Sequence, residues 1–500
     1  MTLLRVAGET GTLVVCAGCG HRATAAELFP IRCPAAVPGD EIDHVMTKVV
    51  DPHEVRFPDG DEPNPFVRYR ALFRAYRLAR AAGWSDERYV ERVERLDRAV
   101  ASVDGHGFST TPFRRSGPLS EHLGFVRAGG VWIKDETGNV SGSHKARHLM
   151  GAMLELLVAE EVGGAGGGSA GGSKPLAIAS CGNAALAAAV VARAAERTLD
   201  VFVLTGADSV VLERLQRLGA RVTECPREPG STGDPSVRRL REAIADGAIP
   251  FTCQGNENGL AIEGGATLGY EMVSELARQG RTLDRLVVQV GGGALASSCA
   301  QAFAEARALG AIDRQPRLDT AQTSGCWPLK RAYDRVASRV LGRTGGRTGA
   351  RPGAGDLAAG GDAGTSIPPD GPAVREALGY AAHHRSEFMW PWESEPRSIA
   401  HGILDDETYD WLAVVQGMLV TGGAPVLVDE AILAEANDLA RATTGIDADH
   451  TGSAGLAGLM ELVRTRSVGP SETVAVLFTG VRRGPHPPDA THNPGERTTS

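Results

Sequence analysis

The segment VWIKDETGNVSGSHKARHLMG (residues 131–151) joins a strand-like run to a helix-like run through a turn of small residues. It places Lys145 in the first turn of the predicted helix. A helix N-terminus carries a positive partial charge, so an ammonium is electrostatically unfavourable there. Lys145 is therefore either a solvated surface lysine or an amine that serves as a nucleophile and forms an imine. The rest of the chain distinguishes these two interpretations.

The composition is that of a globular protein with two domains and additional segments. The chain has 500 residues, of which 42% are hydrophobic and 23% charged, and a formal net charge of −9. This negative charge argues against nucleic acid or a membrane surface as a partner. The N-terminus does not resemble a signal peptide, and no apolar stretch is long enough to cross a bilayer. We therefore expect a cytoplasmic protein.

Strand-like and helix-like segments alternate through most of the chain. Such alternation predicts α/β architecture with parallel, doubly wound sheets. Two helices are also predicted near the N-terminus, at 65–83 and 85–101. Buried strands are predicted at 175–180, 199–206, 220–226, 283–291 and 474–481.

Changes in composition along the chain predict its division into domains. Stretches rich in glycine and proline and poor in large apolar residues cannot form a core and are expected to be disordered. The predicted order is a cysteine-rich, zinc-ribbon-like module at 1–50, a helical connector at 51–104, a smaller α/β domain at 105–270, a larger α/β domain at 271–482 with a disordered insertion at 342–373, and a disordered tail at 483–500.

Three further motifs follow predicted strands. ASCGNAALA (179–187) places a carboxamide and free backbone N–H groups at a helix N-terminus. VVQVGGGALASS (287–298) places three glycines before a helix, and such a loop can bind a phosphate. VAVLFTGV (474–481) ends with Thr479, an uncharged hydroxyl where ligands lie in open α/β sheets. A tight strand–helix turn is the alternative interpretation of the glycine motif.

Together with the lysine segment, these motifs resemble the fold-type II pyridoxal phosphate enzymes. That family includes threonine synthase, serine/threonine ammonia-lyase, cysteine synthase and the tryptophan synthase β chain. The resemblance covers roughly 105–335 and 395–482. It implies two α/β domains with pyridoxal phosphate in the cleft between them, held covalently by Lys145. It also implies a homodimer and a small amino acid as substrate.

The resemblance assigns a role to each matched residue. Lys145 is the expected catalytic residue and imine partner, and Thr479 is expected to contact the ring nitrogen of the cofactor. The other expected cofactor contacts are Asn183, Gly291, Gly292, Gly293, Ala294 and Leu295. The expected substrate contacts are Ser143, Ser180, Cys181, Gly182 and Asn183.

The expected chemistry is removal of the α-proton by Lys145, followed by β-elimination or β-replacement on a serine- or threonine-like substrate. The cofactor ring is a weaker electron sink beside an uncharged Thr479 than beside a carboxylate. A weaker sink favours elimination over transamination. Threonine synthase acting on O-phosphohomoserine is the alternative. However, NENGLAIEGG (256–265) has Gly259 and Ala261 where that enzyme has proline and a phosphate-binding arginine. A protein that binds pyridoxal phosphate without turnover is a third hypothesis.

The N-terminal module contains three cysteines at zinc-ribbon-like spacing, Cys16, Cys19 and Cys33. His44 or His21 could supply a fourth ligand, and His44 is the preferred one. The alternative is a knuckle without metal, because a second CxxC pair is missing. If zinc binds, we expect it to be structural. The module has no basic patch, so no nucleic-acid role is predicted.

Overall fold

The structure of the protein is a computed structural model that describes residues 12–126, 128–164, 174–227, 233–342 and 371–483. Residues 343–370 of the predicted insertion and 484–500 of the predicted tail lie outside the described residues. The far end of the insertion differs from the prediction, because a helix begins at Pro372. Proline is well suited to the first turn of a helix, where its missing N–H costs nothing.

The described elements alternate as the sequence predicts. The strands are β1 (Thr12–Cys16), β2 (Met46–Val50), β3 (Phe113–Ser116), β4 (Gly130–Asp135), β5 (Leu176–Ala179), β6 (Leu199–Leu204), β7 (Arg221–Cys225), β8 (Ile249–Pro250), β9 (Arg285–Gln289), β10 (Arg317–Thr323), β11 (Pro425–Val428) and β12 (Thr473–Phe478). The helices are α1 (Pro65–Arg68), α2 (Arg74–Ala81), α3 (Asp86–Asp104), α4 (Gly117–His122), α5 (Lys145–Val162), α6 (Asn183–Ala194), α7 (Ser209–Arg217), α8 (Pro235–Ala245), α9 (Ala261–Arg278), α10 (Ala294–Ala308), α11 (Pro328–Val340), α12 (Pro372–His383), α13 (Arg385–Phe388), α14 (Trp411–Thr421), α15 (Glu430–Thr444) and α16 (His450–Arg464).

Two sheets form the α/β body. The larger has six strands in the order β11-β10-β9-β12-β4-β3, and only β3 is antiparallel to its neighbour. The smaller has four parallel strands in the order β7-β6-β5-β8. Every residue of β9 and β12 is buried, as expected for central parallel strands covered by helices on both faces. The predicted α/β fold class is confirmed.

Strand pairing runs across the predicted domain boundary at residue 270. β3 and β4 precede that boundary but join the larger sheet, where β4 pairs with β12. After β4 the chain leaves this sheet, and α5 packs against α6 and α9. Lys145 begins α5, so it lies where the chain passes from one sheet to the other.

The predicted cysteine module is present and packs against the rest of the protein. Its β1–β2 hairpin is antiparallel. Lys48 of β2 is buried, and its ammonium donates to the Leu72 carbonyl at 2.6 Å and lies 3.2 Å from the Glu305 carboxylate. Gly259 donates its N–H to the carbonyl of Ile31, and a Cβ at Gly259 would lie 1.9 Å from the carbonyl oxygen of Met46. The module therefore covers the loop that precedes α9.

Among the described helices, none combines the length and apolar character that crossing a membrane requires.

Candidate active site

Lys145 and Thr479 are brought together by two short segments that run side by side. Ser143 and Gly480 form an antiparallel bridge, and the N–H of His144 donates to the carbonyl of Thr479 at 3.2 Å. Gly142 has a φ of +67°, and a Cβ at this position would lie 2.6 Å from a methyl carbon of Val481. Glycine is therefore required for this close approach.

Lys145 is half-buried, and it has no hydrogen-bond or ion-pair partner among the described residues. Two buried histidines flank it. Burial and the positive charge of Lys145 lower the pKa of His148 to about 3 and hold the pKa of His144 well below its usual range. Both imidazoles are therefore neutral near pH 7. Neither imidazole therefore adds a positive charge beside Lys145.

The turn that contains Asn183, in the motif ASCGNAALA (179–187), lies next to the end of β12. Asn183 is the first residue of α6, and its side-chain nitrogen would lie 2.8 Å from a Cβ built on Gly480. Its side-chain oxygen accepts a hydrogen bond from Arg483. Ser180 accepts from the N–H of Gly182 at 3.3 Å, and the side chain of Cys181 is exposed. The turn thus presents amide donors beside Thr479.

The glycine loop leads from β9 into the N-terminus of α10. Gly293 is the N-cap residue of α10 and has a φ of +98°. A Cβ on Gly291 would lie 2.8 Å from the Cα of Ile403, and one on Gly292 would lie 2.9 Å from the ring of Tyr409. The loop therefore has no space for side chains at these two positions. Ala294 and Leu295, the other predicted contacts, form the first turn of α10.

A carboxylate that the sequence analysis missed lies against this loop. Asp405 accepts a hydrogen bond from the N–H of Gly292. Burial raises the pKa of Asp405 to about 6, although the charge of Lys145 and this hydrogen bond oppose the shift. The loop therefore already binds an anion, supplied by the protein itself.

The sequence analysis also missed the charged network beneath Lys145. Arg147 is fully buried, with its Nε 2.7 Å from Glu136 and its Nη1 2.7 Å from Glu271. Lys134 of β4 also pairs with Glu271. These contacts connect α5 to β4 and α9 and so fix the helix turn that carries Lys145. One signal was available, since α5 has apolar residues on all sides and any charge within it must be partly buried.

The four predicted metal ligands come together in the N-terminal module. The ligand atoms of Cys16, Cys19, Cys33 and His44 all lie within 4.8 Å of one another. The Nδ1 of His44 is 3.4 Å from Cys16 Sγ, and its Nε2 is 3.1 Å from the carboxylate of Asp40. His21, the other histidine considered, lies 3.5 Å from Glu27 instead.

Comparison with known proteins identifies the family. The model of the family described as "Pyridoxal-phosphate dependent enzyme" matches residues 106–480, about three quarters of the chain. The chain belongs to this family. The predicted resemblance to fold-type II pyridoxal phosphate enzymes is thus confirmed.

Two curated relatives are similar to this chain over part of its length. Threonine synthase from Methanosarcina acetivorans is 25% identical over 374 residues, covering 74% of each chain. A tryptophan synthase β chain from Afipia carboxidovorans is 27% identical over 187 residues, covering 35% of this chain and 42% of its own. Among solved structures, threonine deaminase isoform 2 from Solanum lycopersicum has a TM-score of 0.51 at 15% identity, covering 80% of this chain and 92% of its own. This last similarity concerns the fold alone.

The residues present fit pyridoxal phosphate. The glycine loop leads into a helix N-terminus and has an N–H group that holds an anion, as phosphate binding requires. Lys145 offers a free amine, and the buried Thr479 offers a hydroxyl nearby. Asp405 fits less well, because its carboxylate occupies an N–H group of the loop that the phosphate would need.

Proposed function

We propose that this enzyme is a lyase that acts on a small serine- or threonine-like amino acid by β-elimination or β-replacement. The observation that carries the proposal is the backbone contact between His144 and Thr479, which places Lys145, an amine without a hydrogen-bond or ion-pair partner among the described residues, near an uncharged buried hydroxyl. When bound, pyridoxal phosphate withdraws electrons from Cα of the amino acid. Thr479 carries no charge and would not hold a proton on the ring nitrogen as a carboxylate would, and this favours elimination over transamination.

The residues of the cleft have complementary roles in this proposal. Lys145 removes the proton from Cα of the substrate. The hydroxyl of Ser180 and the N–H groups at the start of α6 bind the substrate carboxylate. The glycine loop would hold the cofactor phosphate, and the amide of Asn183 would donate to the cofactor's 3′-oxygen. The neutral His144 and His148 add no second positive charge beside Lys145.

Threonine synthase activity is the second candidate, favoured by the match along 74% of the Methanosarcina acetivorans enzyme. The loop before α9 argues against it. Ala261 is fully buried, and its carbonyl accepts a hydrogen bond from His148. Gly259 packs against the backbone of Met46 in the N-terminal module, which leaves no space for a side chain. These two positions therefore offer no arginine to a substrate phosphate.

A spectroscopic titration distinguishes the two candidates. The purified protein, loaded with pyridoxal phosphate, is titrated with L-serine, L-threonine and O-phosphohomoserine while keto acid and phosphate release are measured. Keto acid from serine or threonine, or consumption of serine with an added thiol or indole, supports the lyase. Phosphate release from O-phosphohomoserine alone overturns it in favour of threonine synthase. A visible cofactor band that no amino acid changes indicates binding without turnover.

We also propose that the N-terminal module binds one structural zinc ion through Cys16, Cys19, Cys33 and His44. Three thiolates and an imidazole make a closed set of four ligands, which is typical of structural sites. The hydrogen bond from His44 to Asp40 supports this, because zinc-bound histidines commonly donate their second N–H to a carboxylate.

Metal analysis of the purified protein tests the zinc proposal. One zinc per chain is expected, and it should be lost in Cys33→Ser but retained in Cys181→Ser, which changes an exposed cysteine outside the cluster. A zinc-selective chelator should lower the thermal midpoint of the wild type and leave that of Cys33→Ser unchanged. Protein that contains no zinc after expression in zinc-supplemented medium contradicts the proposal.

A further inference from the structure

Gln289, the last residue of β9, has a side-chain amide whose orientation is fixed by its surroundings. Its Nε2 lies 3.2, 3.0 and 3.4 Å from three backbone carbonyl oxygens, those of Thr451, Gly452 and Leu477. Carbonyl oxygens only accept hydrogen bonds, so the amide nitrogen must face them. The reverse orientation would place Oε1 against three other oxygens. The amide is therefore a donor on this side.

The same nitrogen lies 2.8 Å from the hydroxyl of Thr479. The amide nitrogen cannot accept a hydrogen bond, so the hydroxyl of Thr479 cannot donate to it. Thr479 is the nearest of the four oxygens around this nitrogen, so its oxygen accepts and its hydrogen must point elsewhere. Thr479 is only 2% exposed, and no acceptor for this hydrogen is recorded among the described residues. A buried donor without an acceptor is costly. The hydroxyl therefore has a hydrogen available for a ligand atom that accepts.

We propose that Gln289 is a positioning residue that holds the hydroxyl of Thr479 as a hydrogen-bond donor toward the ring nitrogen of the cofactor. This inference rests on the proposed function, in which Thr479 meets that nitrogen. An unprotonated ring nitrogen accepts the hydrogen. If the ring nitrogen were protonated, Thr479 would have to accept a second hydrogen bond. The hydrogen of the Thr479 hydroxyl would then have no partner. Gln289 thus disfavours protonation of the ring.

The charged groups around Thr479 act in opposite directions. Asp449, the N-cap of α16, would favour a protonated ring, and one of its oxygens lies 3.3 Å from a Cβ built on Gly480. Arg483 and Lys145 are cationic and disfavour a protonated ring. Arg483 donates to Asn183 and Ser141, and His144 is neutral. A test must therefore separate the effect of Gln289 from that of Asp449.

The test is the 15N chemical shift of the ring nitrogen in protein loaded with 15N-labelled pyridoxal phosphate, followed across neutral pH. In the wild type we expect an unprotonated ring throughout. In Gln289→Met, which has similar length but no donor, the hydroxyl can turn and accept. The pKa of the ring nitrogen should then rise by about one unit. Thr479→Ser keeps both hydrogen bonds and should retain the wild-type shift.

Several outcomes would overturn the inference. These are a protonated ring in the wild type at neutral pH, an unchanged shift in Gln289→Met, and an equal change in Asp449→Asn. If Gln289→Met fails to fold, Gln289→Leu is measured instead. This variant also lacks a donor for Thr479, so the ring should again protonate more easily, and an unchanged shift counts against the proposal. Protein that binds no cofactor refutes the proposed function, which is a separate result.

Discussion

Lys145 and Arg147 lie two positions apart on the same helix turn, yet their surroundings differ completely. Arg147 is fully buried, and its guanidinium bonds to two glutamates and two threonine hydroxyls. Lys145 is half-buried and has no partner among the described residues. A cation whose donors are all satisfied holds the structure together, whereas an amine without a partner remains available for chemistry. The helix therefore combines a structural and a reactive cation in one turn.

The largest expected effect follows the loss of the reactive cation. Lys145→Ala should lower kcat by at least about 1000-fold, because it removes both the group that binds the cofactor covalently and the base. Its thermal midpoint without cofactor should stay close to that of the wild type, since Lys145 has no hydrogen bond or ion pair to lose among the described residues. Activity assays and calorimetry measure the two effects. A large fall in stability would contradict the distinction between the two cations.

The complementary change removes the structural cation. Arg147→Met leaves Glu136 and Glu271 buried with fewer partners, so the free energy of unfolding should fall by about 3–5 kcal/mol in urea titrations. The matched control is Arg278→Met, which breaks an exposed pair with Glu275 and should cost less than about 0.5 kcal/mol. Equal losses in the two variants would show that the buried network contributes no more than a surface pair.

A smaller effect is expected at the glycine loop. Asp405→Asn removes a negative charge that competes with the cofactor phosphate, so the Kd for pyridoxal phosphate should fall about tenfold at pH 8. Because the pKa of Asp405 is raised to about 6, the wild-type carboxyl is protonated below this pH and charged above it. The difference between variant and wild type should therefore shrink as the pH falls through 6. Fluorescence titration gives both constants, and a constant ratio at every pH would exclude this competition.

The fold and most of the cleft could be predicted from local sequence patterns. Lys145, the glycine loop and Thr479 follow β4, β9 and β12 of the larger sheet, and the carboxyl ends of parallel strands meet at one edge of a sheet. Asn183 follows β5 of the smaller sheet, so its place beside them was predicted only through the resemblance to a known family. In the structure Lys145 and Thr479 adjoin, and Asn183 lies beside Gly480.

The residues that were missed act through contacts between distant parts of the chain. Arg147 and Glu271 are separated by 124 positions, and nothing near either one indicates the other. Gln289 is the only polar side chain in the run VVQV and resembles any residue of a buried strand. Asp405 follows the glycine-rich insertion, so its distance from the loop could not be judged from the sequence. Hydrophobic patterns locate elements, but they do not pair individual polar groups.

The buried ammonium of Lys48 has a consequence for how the protein is made. One of its partners, Glu305, is encoded 257 residues later, so the ribosome completes the β1–β2 hairpin long before that carboxylate exists. At roughly 5–20 residues per second, the delay is about 13–50 s. During this time Lys48 can reach the carbonyl of Leu72 but not the carboxylate of Glu305. The ion pair that ties this hairpin to α10 therefore forms late in synthesis.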